Sequence, residues 1–255
     1  MASGRAPLRA STELVVVIKV AERVVAIHQP NFLPWLGYFA KIASSDVFLI
    51  MDNAQFPKTG GSWSNRVKMR VGGQPSWLTV PIVRAYHGVR SVREMEIDEH
   101  SPWRTKLLRT IRMSYARSPF FAEVFPLIED VFAYASASLS DFNLNGIKKI
   151  MDAMDMDTNK LMLGSELDVS GAATALLINM VKAVNGTTYL CGGGASGYQD
   201  DEEIAAAGIR LRYQSFSHPE YSQGVEVDFL PGLSIVDALM WCGISGTSSL
   251  VRGTR

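Results

Sequence analysis

The segment His28-Gln29-Pro30-Asn31-Phe32-Leu33-Pro34-Trp35-Leu36-Gly37-Tyr38-Phe39 puts a histidine, two neutral amides and two prolines into one turn. A histidine ring nitrogen at such a turn can take a proton or hold an anion. The alternative for His28 is a ring hydrogen-bonded in the core to hold the loop. Gln29 and Asn31 offer donors and acceptors for hydroxyl, carboxylate or amide groups; tying the loop to its own backbone is an equal use for them. The aromatic end, Trp35 to Phe39, reads as packing and pocket wall. A second group follows: Asp52, Gln55, Lys58 and Arg66. A carboxylate with cations beside it can polarise an amine nucleophile and hold a phosphate or carboxylate. Asp52 and Arg66 are the functional candidates here, whereas Lys58 alone reads as solvated.

Two later segments add candidates. Gly192-Gly193-Gly194 follows an apolar run and can bring backbone N–H groups, with Gly193 and Tyr198, close to a ligand. The spacing matches neither a dinucleotide fingerprint nor a phosphate loop, so no cofactor is implied. Cys191 reads as a small buried strand residue. His218, Tyr221 and Gln223 lie in a polar segment suited to closing over a substrate, or to packing a loop on the core. His87 and His100 read as surface residues. Four scattered histidines without paired spacing give no metal-site signal.

Alternating strands and helices must position these residues. Val24–His28 and Val47–Met51 read as buried strands around a helix over Trp35–Ser44. Asn65–Val71, Gly72-Gly73 and Trp77–Ile82 read as a hairpin, with Val92–Ile97 joining the same antiparallel piece. Ser101-Pro102 starts a helix, Ser118-Pro119 restarts one through Tyr134, and Ser140 or Asp141 caps another through Met154. The basic run Arg104, Lys106, Arg109, Arg112 and Arg117 reads as a solvated helix face. In the last third, a helix over Ala172–Val184, a strand over Thr187–Cys191, a helix capped by Asp200 or Asp201 and a strand over Ile209–Ser215 form a parallel α/β unit. Residues 1–23 read as a variable extension, and 244–255 as a loose tail.

The chain has 255 residues, 47% hydrophobic and 20% charged, which is ordinary globular composition. Lys+Arg and Asp+Glu each total 25, so no global field points to nucleic acid or to a membrane surface. The apolar run from Leu14 to Val20 is too short and interrupted for a membrane span. Two cysteines cannot make a disulfide framework, and a cytoplasmic setting is expected.

The opening motif, Asp52-Asn53-Ala54-Gln55-Phe56, Asn65-Arg66, Trp77-Leu78-Thr79-Val80-Pro81, Tyr189-Leu190-Cys191-Gly192 and Phe229-Leu230-Pro231 together resemble the WbqC-like protein family, from about Val24 to Gly243. The resemblance implies a setting in surface-polysaccharide (O-antigen) or natural-product biosynthesis, including antibiotics. The start of the chain is also similar to pantothenate synthetases and related nucleotidyltransferases. That superfamily's phosphate-binding histidine pair is missing, since Trp35 and Tyr38 stand around Gly37.

The expected architecture is a single α/β domain over 24–243 with a Rossmann-like parallel sheet. It carries a small antiparallel hairpin and a central helical segment over about 101–155. The expected function is a transferase joining an amino- or hydroxyl-bearing acceptor to an activated acyl or nucleotide-linked donor. In that scheme His28 or Asp52 takes the proton, Gln29, Asn31 and Gln55 position the acceptor, and Arg66 with the glycine loop holds the donor. The alternatives are a non-catalytic small-molecule-binding or scaffold protein of a biosynthetic complex, and a nucleotidyltransferase. A homodimer or a biosynthetic partner protein fits any of them. Convergence of His28, Asp52 and Arg66 on one cavity separates the enzyme from the binding protein.

Overall fold

The computed structural model describes residues 21–193, 197, 199–224 and 227–253. Apolar, β-branched runs make the central strands. β1 (Val24–His28) and β2 (Val47–Ile50) pair in parallel, with Val25 opposite Val47 and His28 opposite Ile50. Between them runs α1 (Leu36–Ala43), whose sequence is apolar but for one lysine. Its carboxyl end is held from outside: Lys160 Nζ donates to the carbonyls of Ile42 (3.2 Å) and, just past the helix, Ser45 (2.7 Å). The hairpin is β3 (Arg66–Val71) and β4 (Gln74–Thr79). Gly72 and Gly73 take positive φ of 59° and 82°, which a two-residue hairpin turn requires.

The central helices are α2 (Trp103–Tyr115), α3 (Phe121–Ala133) and α4 (Leu139–Ala153). Then come β5 (Leu161–Leu163), α5 (Ala173–Ala183), β6 (Thr188–Cys191), α6 (Asp201–Ala206), β7 (Arg210–Tyr213) and α7 (Ile235–Gly253). The parallel sheet has the order β5-β2-β1-β6-β7. Chain progression runs outward from β1 through β2 and β5, then resumes on the other side with β6 and β7. The order therefore reverses between β1 and β6.

Alternation along β1 sorts the two cores. Val24 and Ala26 join the larger one, with α1, α3, α4 and α7; Val25 and Ile27 join the smaller one, with residues of α5 and α6. The expected α/β class, parallel sheet and added hairpin are all present.

Several local expectations are corrected. Val92–Glu94 is a 3-10 turn closed by a Ser91–Glu94 capping box, and only Ile97 bridges back to Ile82. The cap of α4 is Ser138, which accepts from the Asp141 N–H, because a serine oxygen there reaches an amide that Ser140, already inside the helix, cannot. Strand β5, too short to carry a period, was not anticipated. Arg104 is not a solvated cation: it donates to the carbonyls of Phe132, Tyr134 and Ser136 and stacks on Trp103. Residues expected as a loose tail continue α7 past a kink at Gly243 (φ 72°, ψ 174°), and bury Thr247 and Val251. The kink suits glycine, since a Cβ there would lie 2.7 Å from the Phe120 ring. No helix among the described residues is long and apolar enough to cross a membrane.

Candidate functional site

A cleft of about 520 Å³ opens at the carboxyl ends of β1 and β6. This is the reversal point of the strand order, where open parallel sheets leave a crevice because neighbouring connections depart to opposite faces. His28 enters from the end of β1, Gly192 and Gly193 from the loop after β6, and Gln214 and Phe216 from the segment after β7. Gly37, Tyr38 and Lys41 enter from α1, Trp35 from the position that precedes it, and Trp63 from the loop before β3. The volume lies within the range usual for small-molecule sites. A larger hollow, about 710 Å³, flanks β7, but its cations Lys160 and Arg212 donate to the carbonyls that end α1.

The cleft walls are aromatic. His28 meets Tyr38 and Trp35 edge-on, with ring centroids 4.9 and 5.7 Å away. Trp35 leads outward to Trp63 (5.4 Å) and Trp63 to Trp77 (5.2 Å). Trp63 and Trp77 are each 41% exposed, so the aromatic row reaches solvent.

Electrostatics sets His28 and Lys41 apart. Burial pushes the His28 imidazole down to about 3, helped by the Lys41 cation, while the Gln29 carbonyl near Nδ1 (3.3 Å) opposes the shift. At neutral pH the ring is an uncharged donor and acceptor, and a weak base. Lys41 is 3% exposed, and burial pushes its ammonium down to about 8. It donates to the Ile27 carbonyl at 3.0 Å. Burial also raises the Tyr38 and Tyr189 hydroxyls and the Cys191 thiol, so these stay protonated.

The residues expected to act together are dispersed. His28 and Gly193 line the cleft. Asp52 does not: it is 4% exposed and accepts from the Ser165 N–H (3.0 Å) and hydroxyl (2.6 Å), clasping the end of β2 to the turn after β5. Arg66 lies over the Trp77 ring, 4.3 Å from its centroid, beside a separate hollow of about 310 Å³. Gln29 gives its carbonyl to the Tyr38 hydroxyl and its side chain to Ser64. Asn31 is buried with neither amide atom hydrogen-bonded, and it does not line the cleft. Gln55 is exposed, bridging backbone to Ser91. Tyr198 lies outside the described residues.

The polar loop is a knot. The Tyr221 hydroxyl (2.8 Å) and Gln223 Nε2 (2.9 Å) donate to Asp237 Oδ2, and the Tyr115 hydroxyl donates to Oδ1 (2.9 Å). Arg70 Nη2 donates to Gln223 Oε1 at 3.0 Å. His218 is half-buried against Phe216 and accepts from the Gly232 N–H at 3.4 Å. Tyr221 and Gln223 thus fasten the loop to α7 and the hairpin, and His218 stands behind the cleft wall.

Lys41, Trp63, Gln214 and Phe216 were missed by the sequence reading. Lys41 had a signal: it is the one charge in LGYFAKIA, a helix otherwise suited to full burial. Among the described residues, no group of three metal-binding side chains converges.

A family model described as "WbqC-like protein family" matches residues 29–249. The chain is 28% identical over 221 residues to "Uncharacterized protein Rv1507c" of Mycobacterium tuberculosis, covering 86% of this chain and 94% of that one. No solved structure matches. With a family model spanning most of its length, the chain belongs to the WbqC-like protein family.

Proposed function

We propose that this WbqC-like chain is a small-molecule-binding protein of a biosynthetic pathway, with its ligand seated in the cleft between β1 and β6. One observation carries the reading: an aromatic-walled cavity of about 520 Å³ stands at the switch point of the sheet, with neutral polar groups and one ammonium along its walls. The rings of Trp35, Trp63 and Phe216 suit the faces of a sugar or a planar ring, while His28 and Gln214 offer neutral hydrogen bonds.

The transferase built from His28, Asp52 and Arg66 is set aside, because these residues face three environments and Asp52 is closed over by Ser165. Group transfer survives as a second reading in one form. Lys41, with its amine pushed down to about 8 inside the cleft, is the stronger proton acceptor there; His28 serves as a hydrogen-bonding group.

The binding reading is tested by blocking the cleft without disturbing the fold. A Cβ at Gly192 meets no atom within 4 Å, so a side chain placed there grows into open space. Wild type and Gly192→Phe are incubated with a metabolite extract, recovered, and their bound compounds identified by mass spectrometry. Wild type is expected to retain a compound that Gly192→Phe loses. Equal retention, or none by either protein, overturns the reading.

A further inference from the structure

Lys41 is 3% exposed and lines the cleft, yet its hydrogen bond goes to a neutral backbone carbonyl, that of Ile27. None of the salt bridges formed among the described residues includes it. Among the described residues, no aspartate or glutamate lines the cleft. A buried ammonium is costly without a counter-charge, and proteins that keep one commonly pair it. One N–H of three points to Ile27, which leaves donor capacity on the cleft side.

Among the described residues, the titratable groups that face Lys41 are neutral at pH 7. His28 comes from β1, Tyr189 and Cys191 from β6, and Tyr38 from α1 itself. Burial holds the imidazole unprotonated and the two phenols and the thiol protonated. The amino end of α1 adds to the same polarity. Trp35 makes no side-chain cap, and no acidic residue stands in the first turn, so the partial positive charge of the helix is uncompensated where Gly37 meets the cleft.

Resting on the proposed binding role, we infer that the cleft takes a ligand whose ring lies against Trp35 and Trp63 and whose oxyanion, a carboxylate or phosphate, pairs with Lys41. The protein supplies the cation and the aromatic wall; the ligand supplies the missing counter-charge.

The test uses two matched pairs, each an anion and its neutral counterpart: galacturonate with galactose, and phenyl phosphate with phenol. Affinities are measured by ligand-observed NMR on wild type and Lys41→Met. At least one anionic member is expected to bind wild type about tenfold or more tightly than its neutral partner, and Lys41→Met to erase that difference. The affinity for the anion should fall as pH rises through about 8, where Lys41 gives up its proton. The pair that responds separates a carboxylate ligand from a phosphate one. If Lys41→Met fails to fold, Lys41→Gln, which keeps a donor for the Ile27 carbonyl, is read in its place. Equal binding of anion and neutral partner, equal anion binding by the variant, or no binding by any probe overturns the inference. The binding reading itself stands or falls on the Gly192→Phe retention experiment, so the two can fail separately.

Discussion

Asp237 and Lys41 are both buried, and the fold treats them in opposite ways. Asp237 is fully buried and accepts from Tyr115, Tyr221 and Gln223, with the Arg70 cation nearby. Lys41 is buried almost as deeply and meets one backbone carbonyl beside an open cavity. Burial pushes the Asp237 carboxyl up, while the three donors and Arg70 hold it down. Nothing comparable holds Lys41 up; only the Cys191 side chain does so, and burial outweighs it. The polar group whose needs are met inside the chain is architecture. The one whose needs are left to an outsider marks the place an outsider goes.

That contrast can be broken by mutation. The largest effect is expected at Asp237→Ala, which strands three donors in the core and should lower the unfolding free energy by about 3–5 kcal/mol in a urea melt. A loss below about 1 kcal/mol would remove the knot from the architecture. Asp52→Ala should cost about 1–2 kcal/mol, the loss of a capping carboxylate on Ser165, and leave ligand retention intact. Retention lost from a stable Asp52→Ala protein would return Asp52 to the site.

Lys41→Met is expected to do the reverse and raise stability at pH 7 by about 1 kcal/mol. Relief from burying an ammonium is partly offset by an Ile27 carbonyl left unpaired. The pH dependence gives the sign. Below about 8 both states carry the charge and the whole penalty is present; between about 8 and 10.5 the folded state sheds its proton first, so wild-type stability rises with pH. Lys41→Met should lose that rise, and an unchanged slope would show that Lys41 is solvated.

At neutral pH the smallest effect belongs to His28. Above 6.5 neither state is protonated. As pH falls from 6.5 toward 3 the unfolded chain takes up a proton that the folded one refuses, so wild type should weaken with acid. His28→Gln should flatten that decline in melts across the same range. A decline that persists unchanged would place the acid sensitivity elsewhere.

The sheet was legible because its strands are short apolar runs broken by turn residues; Val24–His28 and Thr188–Cys191 carry that signal locally. The end of α7 was not, since Gly243 to Ser249 reads as small and polar, and its helix is stabilised by packing against distant chain: the Ser248 hydroxyl donates to the Met154 carbonyl. The candidate site divides along the same line. His28 and Gly193 could be placed because strand ends and glycine loops announce themselves. Asp52 could not be placed, because its partner, Ser165, is 113 residues away. Tyr221 and Gln223 resemble ligand-facing groups until Asp237 is seen to take both. Lys41 was written in the sequence, as a cation where every neighbour is apolar.

The pairing of β1 with β6 has a consequence for how the protein is made. Arg23 and Thr187, hydrogen-bonded at the foot of that pairing, are 164 residues apart. A growing chain emerges from the ribosome amino end first, and contacts so distant in sequence form late. The aromatic wall and Lys41 are therefore synthesised long before the strand and glycine loop that face them. Any ligand meets only finished molecules, and a chain cut short before β6 carries one wall of the cleft with nothing opposite.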